Sequence, residues 1–305
     1  MSLRSDNPDL IIGVGGVGSQ LAQDAGRMSG CDTLLISHDQ RDLAGDNSIL
    51  ISTESAINPS VHLLRGFAFK AQQKIKDATE GCSSVVMFCN LAGKGGSAIA
   101  PAVSHMLGGK RLACFAIMPF QYETSRLFTA SIALQRVRDD SDFVIVADND
   151  AVLDANPSIT PNQCYKNINS AILQVASSLD WSESGIIFAG RNNPDVEGSL
   201  RDSLKTLYGS TTPDRVRRAA ILVMGGNNIP LGDIRSIKEM TTDAIGTEVE
   251  VSTNTSDKSG IAMVSAIEGE MHFDQYDPLR IIPTRLDWDE PDYAMDCGLN
   301  MHNID

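Results

Sequence analysis

The segment LIIGVGGVGSQLAQDAG, from Leu10 to Gly26, restricts the fold more than any other stretch. An apolar run passes directly into glycines and then into a pattern of helical period. Glycines between a buried strand and a helix let the backbone approach a ligand closely, and the exposed amides of the helix start favour an anion. The loop from Gly13 to Gly18 therefore reads as a phosphate cradle. A second stretch, CNLAGKGGSAIAPAV, repeats the arrangement after another apolar run. Two cradles in one domain suggest a nucleotide gripped from both sides, whereas an ordinary dinucleotide enzyme needs one cradle and an acidic residue at the end of its second strand. Asp39, in ISHDQ, occupies that place, so dinucleotide binding stays open.

Apolar runs and helical patterns alternate through the first half. The runs Asp9 to Val14, Asp32 to Ser37, Ser84 to Cys89, Arg111 to Met118 and Phe143 to Ala147 read as strands. Between them lie helical patterns near Ser19 to Met28, Val61 to Ala78, Ala98 to Leu107 and Thr124 to Val137. Continuously apolar strands separated by helices imply a parallel sheet covered on both faces. Its ligand site belongs beyond the carboxyl ends of the strands. From Pro161 a helix is expected with Ile168, Ile172, Val175 and Leu179 on one face, ending before Gly185. A second unit follows: a strand at Ala220 to Met224, a GGNN turn, a helix from Leu231 to about Ala244, and a pair of strands at Glu248 to Ser252 and Gly260 to Ile267. The expected fold class is α/β, a parallel Rossmann-like nucleotide-binding sheet whose central helix leads to a smaller α+β second domain. The corresponding boundaries are 1–160 for the nucleotide-binding domain, 161–184 for the central helix, 185–272 for the smaller domain and 273–305 for an acidic tail.

Composition narrows the partners. A formal charge of −14 opposes nonspecific attraction to nucleic acid or acidic lipid. No apolar stretch reaches the roughly 18 residues of a membrane helix, so a soluble, cytoplasmic protein is expected. The six cysteines show no CxxC pair and read as buried thiols in a reducing compartment.

These loops, taken in order, resemble the tubulin/FtsZ superfamily of filament-forming GTPases over roughly Leu10 to Ile267. GVGGVGSQ is similar to the family's first loop, which implies phosphate contacts at Gly15, Gly16 and Val17 and a guanine contact at Gln20. ISHDQRDL is similar to the second-strand segment, with Asp39 at its acidic position. INPSV resembles the NPxxG segment near the γ-phosphate and assigns Asn58 there, although His62 replaces the family's glycine. AGKGGSA is a degraded form of the GGGTGTG signature: it implies phosphate contacts at Gly93, Gly95, Gly96 and Ser97, while Lys94 replaces a glycine and can supply its own charge to a phosphate. MPFQYE resembles KPFxFE and assigns Glu123 to the ribose. Leu127 stands where the family has an arginine, and Arg126 is one residue away. VADNDAVL is similar to the IPND segment, which implies that Asn149 and Asp150 orient the loop near the sugar or the next helix. Tyr165 and Asn169, four residues apart, match the pair that stacks on guanine and hydrogen-bonds its edge.

The resemblance further implies GTP or GDP as cofactor, with Mg2+ as a candidate companion ion, head-to-tail self-association, and hydrolysis by carboxylates that the next subunit inserts. In the ungapped register GRNNPD places Asn192 and Asp195 at those catalytic positions. A gapped register would use Asp180 and Glu183 instead. Either leaves one carboxylate missing or displaced. The segment between Asp195 and Ala220 is also short, implying a reduced strand or helix. Two other classes stay open: a pseudo-GTPase scaffold that does not hydrolyse, and a Rossmann-type enzyme, NAD-dependent or ThiF-like adenylating, for which GVGGVGS is a good local match. The tail from Phe273 reads as extended or disordered until it meets an adaptor or neighbouring subunit, with Trp288 and Tyr293 as anchors.

Overall fold

The computed structural model describes residues 8–45, 47–54, 56–150, 153, 158–178, 184–189, 195–210, 212–225, 229–253, 260–267, 276–277, 282–283, 286 and 288. One ten-stranded sheet runs through the chain in the order β3-β2-β1-β4-β5-β6-β7-β10-β8-β9. Its first part comprises β1 (Leu10–Val14), β2 (Thr33–Ser37), β3 (Ser48–Leu50), β4 (Ser84–Asn90), β5 (Arg111–Met118) and β6 (Phe143–Asp148), all parallel. The second comprises β7 (Gly185–Ala189), β8 (Val216–Met224), β9 (Val249–Thr253) and β10 (Gly260–Ile267). β10 is antiparallel to both β7 and β8, and β9 is parallel to β8. The last two strands therefore flank β8 instead of pairing with each other. β7 also pairs with β6, Ile145 facing Gly185 and Ala147 facing Ile187, which joins the two halves into a single sheet.

Helices cover both faces. Helix α1 (Gly15–Ser29) and the central helix α6 (Pro161–Ser178) pack Leu21, Ala22, Ile168, Ile172 and Val175 on one side. On the other lie α2 (Val61–Lys70), α3 (Gln72–Ala78), α4 (Lys94–Met106), α5 (Thr124–Asp139), α7 (Val196–Ser210) and α8 (Leu231–Ile245), which contribute Leu64, Ile75, Ile99, Leu134, Leu207 and Ile237. With both faces covered, β1 is buried at every position, the reason it reads as an unbroken apolar run. Among the described residues no helix is long and apolar enough to cross a membrane.

Three boundaries depart from expectation. Helices α1 and α4 begin at Gly15 and Lys94, four residues before the expected Ser19 and Ala98, because the glycine loops themselves form the first helical turns. The helix expected over Val61 to Ala78 is two helices, interrupted at Ala71, where ψ opens to 5°. Strands β3 and β7 were not expected at all. The tail is corrected too: Tyr276 and Leu286 are buried against the body, and Trp288 packs on Phe69 and His105 at centroid distances of 5.3 and 4.7 Å, under the Arg136 guanidinium. Trp288 is thus engaged within its own chain, and Tyr293 lies outside the described residues.

Glycine is required where α4 leaves β4. A Cβ at Gly96 would collide with the Asn90 carbonyl oxygen, whereas one at Gly66, inside α2, meets nothing within 4 Å. Gly96→Ala is expected to cost about 1–3 kcal/mol in urea denaturation, and Gly66→Ala to add about 0.5–1 kcal/mol.

Asp9 clamps β1 to the start of β4. Its carboxylate accepts from the Ser83 hydroxyl and from the Ser83 and Ser84 amides, which hold its pKa down at about 2. A depressed carboxylate stabilises the fold fully above its unfolded pKa near ~4, and that contribution is lost as pH falls through about 2. Asp9→Asn should therefore be less stable than the parent at pH 7 in urea titrations, with the difference shrinking as the pH is lowered toward about 2.

Candidate functional site

At the carboxyl ends of β1, β4, β5 and β6 the chain encloses a cavity of about 500 Å³. Its size is that of a small-molecule site, about 300–1,000 Å³ in general. The geometry begins with two adjacent strands turning into helices at the same height, Val14 facing Cys89 across the sheet. Gly15 takes φ +71°, a left-handed conformation unfavourable for other residues, and an added Cβ there would lie 3.2 Å from the Gly96 amide nitrogen. The two glycine turns are therefore in contact. Neither helix has a side-chain cap at its start: Val14 and Gly93 occupy the cap positions of α1 and α4 and provide no hydrogen bond. The first-turn amides of both remain available to an anion.

One end of the cavity is built from these turns. Val17 comes from α1, and Gly93, Lys94 and Ser97 from the start of α4, after Asn90 and Leu91 at the end of β4. The Ser97 hydroxyl donates back to the Gly93 carbonyl at 3.1 Å. Lys94 Nζ donates to Asn58 Oδ1, bridging to the loop before α2, where Asn58 has φ +54°.

The other end is aromatic and amide-rich. Tyr165 and Asn169 both line the cavity from α6, as their four-residue spacing requires. Phe120 lies 6.1 Å from Tyr165 and stacks on Tyr122 at 5.1 Å. Burial, and after it the nearby Glu123 carboxylate, raises the Tyr165 pKa, so the phenol is a neutral face at physiological pH. Glu123 holds Arg126 at 2.6 Å and accepts from the Phe120 amide, placing an ion pair on the wall. The floor is Asn149, 2% exposed, whose Nδ2 donates to the Met118 carbonyl at 2.8 Å. Its Oδ1 is buried without a partner, an acceptor that an N–H of a ligand would satisfy.

Of the site residues expected from sequence, the structure brings Val17, Gly93, Lys94, Ser97, Glu123, Arg126, Asn149, Tyr165 and Asn169 together around this cavity. Gly15, Gly95 and Gly96 stand behind its wall as backbone, and Gly95 abuts the His38 ring. Gly16 makes room for Asp42, whose Oδ1 would lie 2.8 Å from an added Cβ. Gln20 is exposed on α1. Asp39 is tied to Arg41 by both oxygens and caps the short turn that follows β2; those bonds hold its pKa down at about 2. Asn58 takes part only as the partner of Lys94. Asp195 lies elsewhere, exposed at the start of α7, where its Oδ1 accepts from the Glu197 amide at 3.1 Å. Asn192, Asp180 and Glu183 lie outside the described residues. Sequence reasoning missed Ser125 and Thr129, which line the cavity from α5. Their four-residue spacing beside Arg126 was the available signal.

A model of the tubulin/FtsZ family GTPase domain matches residues 10–157. Cell division protein FtsZ of Haloferax mediterranei is 26% identical over 215 residues, covering 62% of this chain and 57% of that protein. Cell division protein FtsZ 1 of Thermococcus kodakarensis is 24% identical over 242 residues, covering 73% and 63%. The matches thus span less than two thirds of the length of these curated relatives. Among solved structures, an FtsZ dimer from M. jannaschii aligns with TM-score 0.68 at 17% identity, over 86% of this chain and 89% of that one. CetZ2 from Haloferax volcanii, described as a GTPgS bound protofilament, aligns with TM-score 0.61 at 19% identity, over 88% and 96%. At these identities the structural likeness establishes the fold.

Cys164 lies beneath the Tyr165 wall. It is fully buried and donates to the Asn149 carbonyl at 3.8 Å; burial first, then Asp150 and Asp148, push its thiol up to about 11. Since the thiolate is the nucleophile, Cys164 should stay unlabelled by an aromatic disulfide reagent at pH 8 in the folded protein. It should react once urea unfolds the chain, as read by peptide mass spectrometry.

Proposed function

We propose that this protein, whose residues 10–157 match a model of the tubulin/FtsZ family GTPase domain, is a divergent FtsZ-like, guanine-nucleotide-binding cytoskeletal protein of the cytoplasm that assembles head to tail into filaments, with GTP or GDP in the cavity at each junction. The observation that carries the reading is the convergence of two uncapped glycine turns, a stacking pair one helical turn apart and an unpartnered buried amide oxygen around one cavity. That set matches the phosphate anion of a nucleoside polyphosphate and the flat face and polar edge of its base.

In this reading the first turns of α1 and α4 offer backbone amides to the phosphates, and Lys94 leaves Asn58 to place an ammonium beside the outermost one. Tyr165 offers its face to guanine, Asn169 and Asn149 offer amide groups to its edge, and Glu123 with Arg126 meets the ribose. Bound GTP supplies a phosphoanhydride whose cleavage depends on positioning and charge stabilisation. Mg2+ would enter with the phosphates, since among the described residues no cluster of His, Cys, Asp or Glu is arranged to hold a metal ion. Tyr122, Phe128 and the almost fully exposed Ile57 are next in sequence to Glu123, Thr129 and Asn58, and such exposed apolar side chains suit contact with a second copy of the chain. Such a contact is heterologous and does not close, which gives a filament. Asp195, exposed on another part of the molecule, would be presented to the neighbour's nucleotide. Asn192, three residues earlier in the sequence, is no carboxylate, and this favours slow hydrolysis or a non-hydrolysing scaffold as the second reading.

Purified protein should retain guanine nucleotides in preference to ATP and NAD, with GTP-dependent light scattering; selective binding of ATP or NAD without scattering would replace this reading with an enzyme of the Rossmann type. Tyr165→Ala should weaken GTP and GDP alike by about tenfold or more, the order for loss of a base-stacking ring. Lys94→Ala should weaken GTP more than GDP, by about tenfold for a lost charge-assisted contact. Phosphate release during assembly separates the two readings: Asp195→Ala abolishes it if the chain is a GTPase, and the parent already shows none if it is a scaffold.

A further inference from the structure

The nucleotide cavity has a support that neither the glycine turns nor the central helix provides. Tyr276, beyond β10, is 3% exposed and reaches back across the sheet to the first half of the chain. Its hydroxyl donates to Asp148 Oδ2 at 2.8 Å, and its carbonyl accepts from the Ser131 hydroxyl. Both partners are close in sequence to residues that line the cavity, Asn149 and Thr129. Asp148 ends β6 and precedes Asn149; its Oδ1 accepts from the Asp150 amide at 2.8 Å, while Asp150 in turn accepts from the Gln121 amide. Ser131 sits on α5, the helix that presents Arg126 and Thr129 to the cavity.

We propose that Tyr276 is a positioning residue for the nucleotide site, fixing the Asp148–Asn149–Asp150 turn so that the unpartnered Asn149 oxygen faces the ligand, and that it thereby sets how long nucleotide stays bound. The proposal rests on the guanine-nucleotide reading of this cavity. Asp148 is 2% exposed, and a buried carboxylate that loses a donor must find another partner or move. Asp148 immediately precedes Asn149, so the adjustment displaces the cavity floor. Tyr276 thus couples the far end of the described chain to ligand retention through two hydrogen bonds, without touching the ligand.

The test uses the full chain loaded with a fluorescent GDP analogue and chased with unlabelled GDP, alongside urea denaturation. Tyr276→Phe removes only the hydroxyl and is expected to speed release about tenfold, the order for one lost buried hydrogen bond. Ser131→Ala, which leaves the phenol in place, should speed release in the same direction. Ser203→Ala is the control: Ser203 is a buried hydroxyl in the second half, donating to the Ile261 carbonyl, and its loss should lower the urea midpoint without changing release. Release from Tyr276→Phe and Ser131→Ala at the parent rate, with only the midpoint lowered, would assign Tyr276 to packing alone and overturn the proposal. Failure of the unsubstituted chain to retain any guanine nucleotide overturns the reading of the cavity itself, and this proposal with it.

Discussion

Contact between the first turns of α1 and α4 is the constraint on which the site depends. β1 and β4 are hydrogen-bonded neighbours, and both end at the same level. The helices that leave them must pass each other with no side chain between, which Gly15 and Gly96 permit. Two helix starts without side-chain caps then point into one space, and their partial positive charges add there. Parallel topology does the rest: every strand of the first half delivers its carboxyl end to the same rim. The Glu123 turn, Asn149 and the start of α6 arrive around the glycine turns without any long-range design of their own.

This explains what was legible in the sequence. Strands buried on both faces are unbroken apolar runs, so the main parallel strands could be read directly, and the glycine turns stood out at their ends. The Tyr165 and Asn169 pair was legible through its resemblance to the family's base-contacting pair, which helical spacing puts on one face. Less could be read where a local interaction competes with a motif. Asp39 has the right place in the chain, but Arg41, two residues on, captures its carboxylate. Strand β3 is three residues long, too short to carry a period, and β7 opens on a glycine. The starts of α1 and α4 were misplaced because glycine is a poor helix former, yet here it supplies the first turn for reasons of space. Nothing in the acidic composition of the last segment foretells that Tyr276 and Trp288 turn inward, since the partners that hold them, Asp148 and Arg136, are distant in sequence.

The joint between β6 and β7 gives the central helix a particular place. α6 lies across one face of the continuous sheet, with Ile168, Ile172 and Val175 buried together with Ile145 of β6 and Ile187, Leu222 and Ala262 of the second half. The same helix shows Tyr165 and Asn169 to the cavity. A shift of α6 along its axis would therefore alter the cavity wall and the packing of the second half together, because a packed core has no slack in which to absorb it.

A sheet of ten strands exposes just two edges, and each is poorly suited to recruiting another strand. β3 offers three residues, of which only Ile49 is buried, a template too short for stable pairing. At the far side β9 carries Glu250, joined at 2.6 Å to Arg218 of β8, and a charged side chain on an edge discourages a second sheet from docking there. Sheet-to-sheet fusion into amyloid-like aggregates is thus blocked at both flanks, so a chain that associates at high concentration is directed away from its edges and onto its loop-bearing faces.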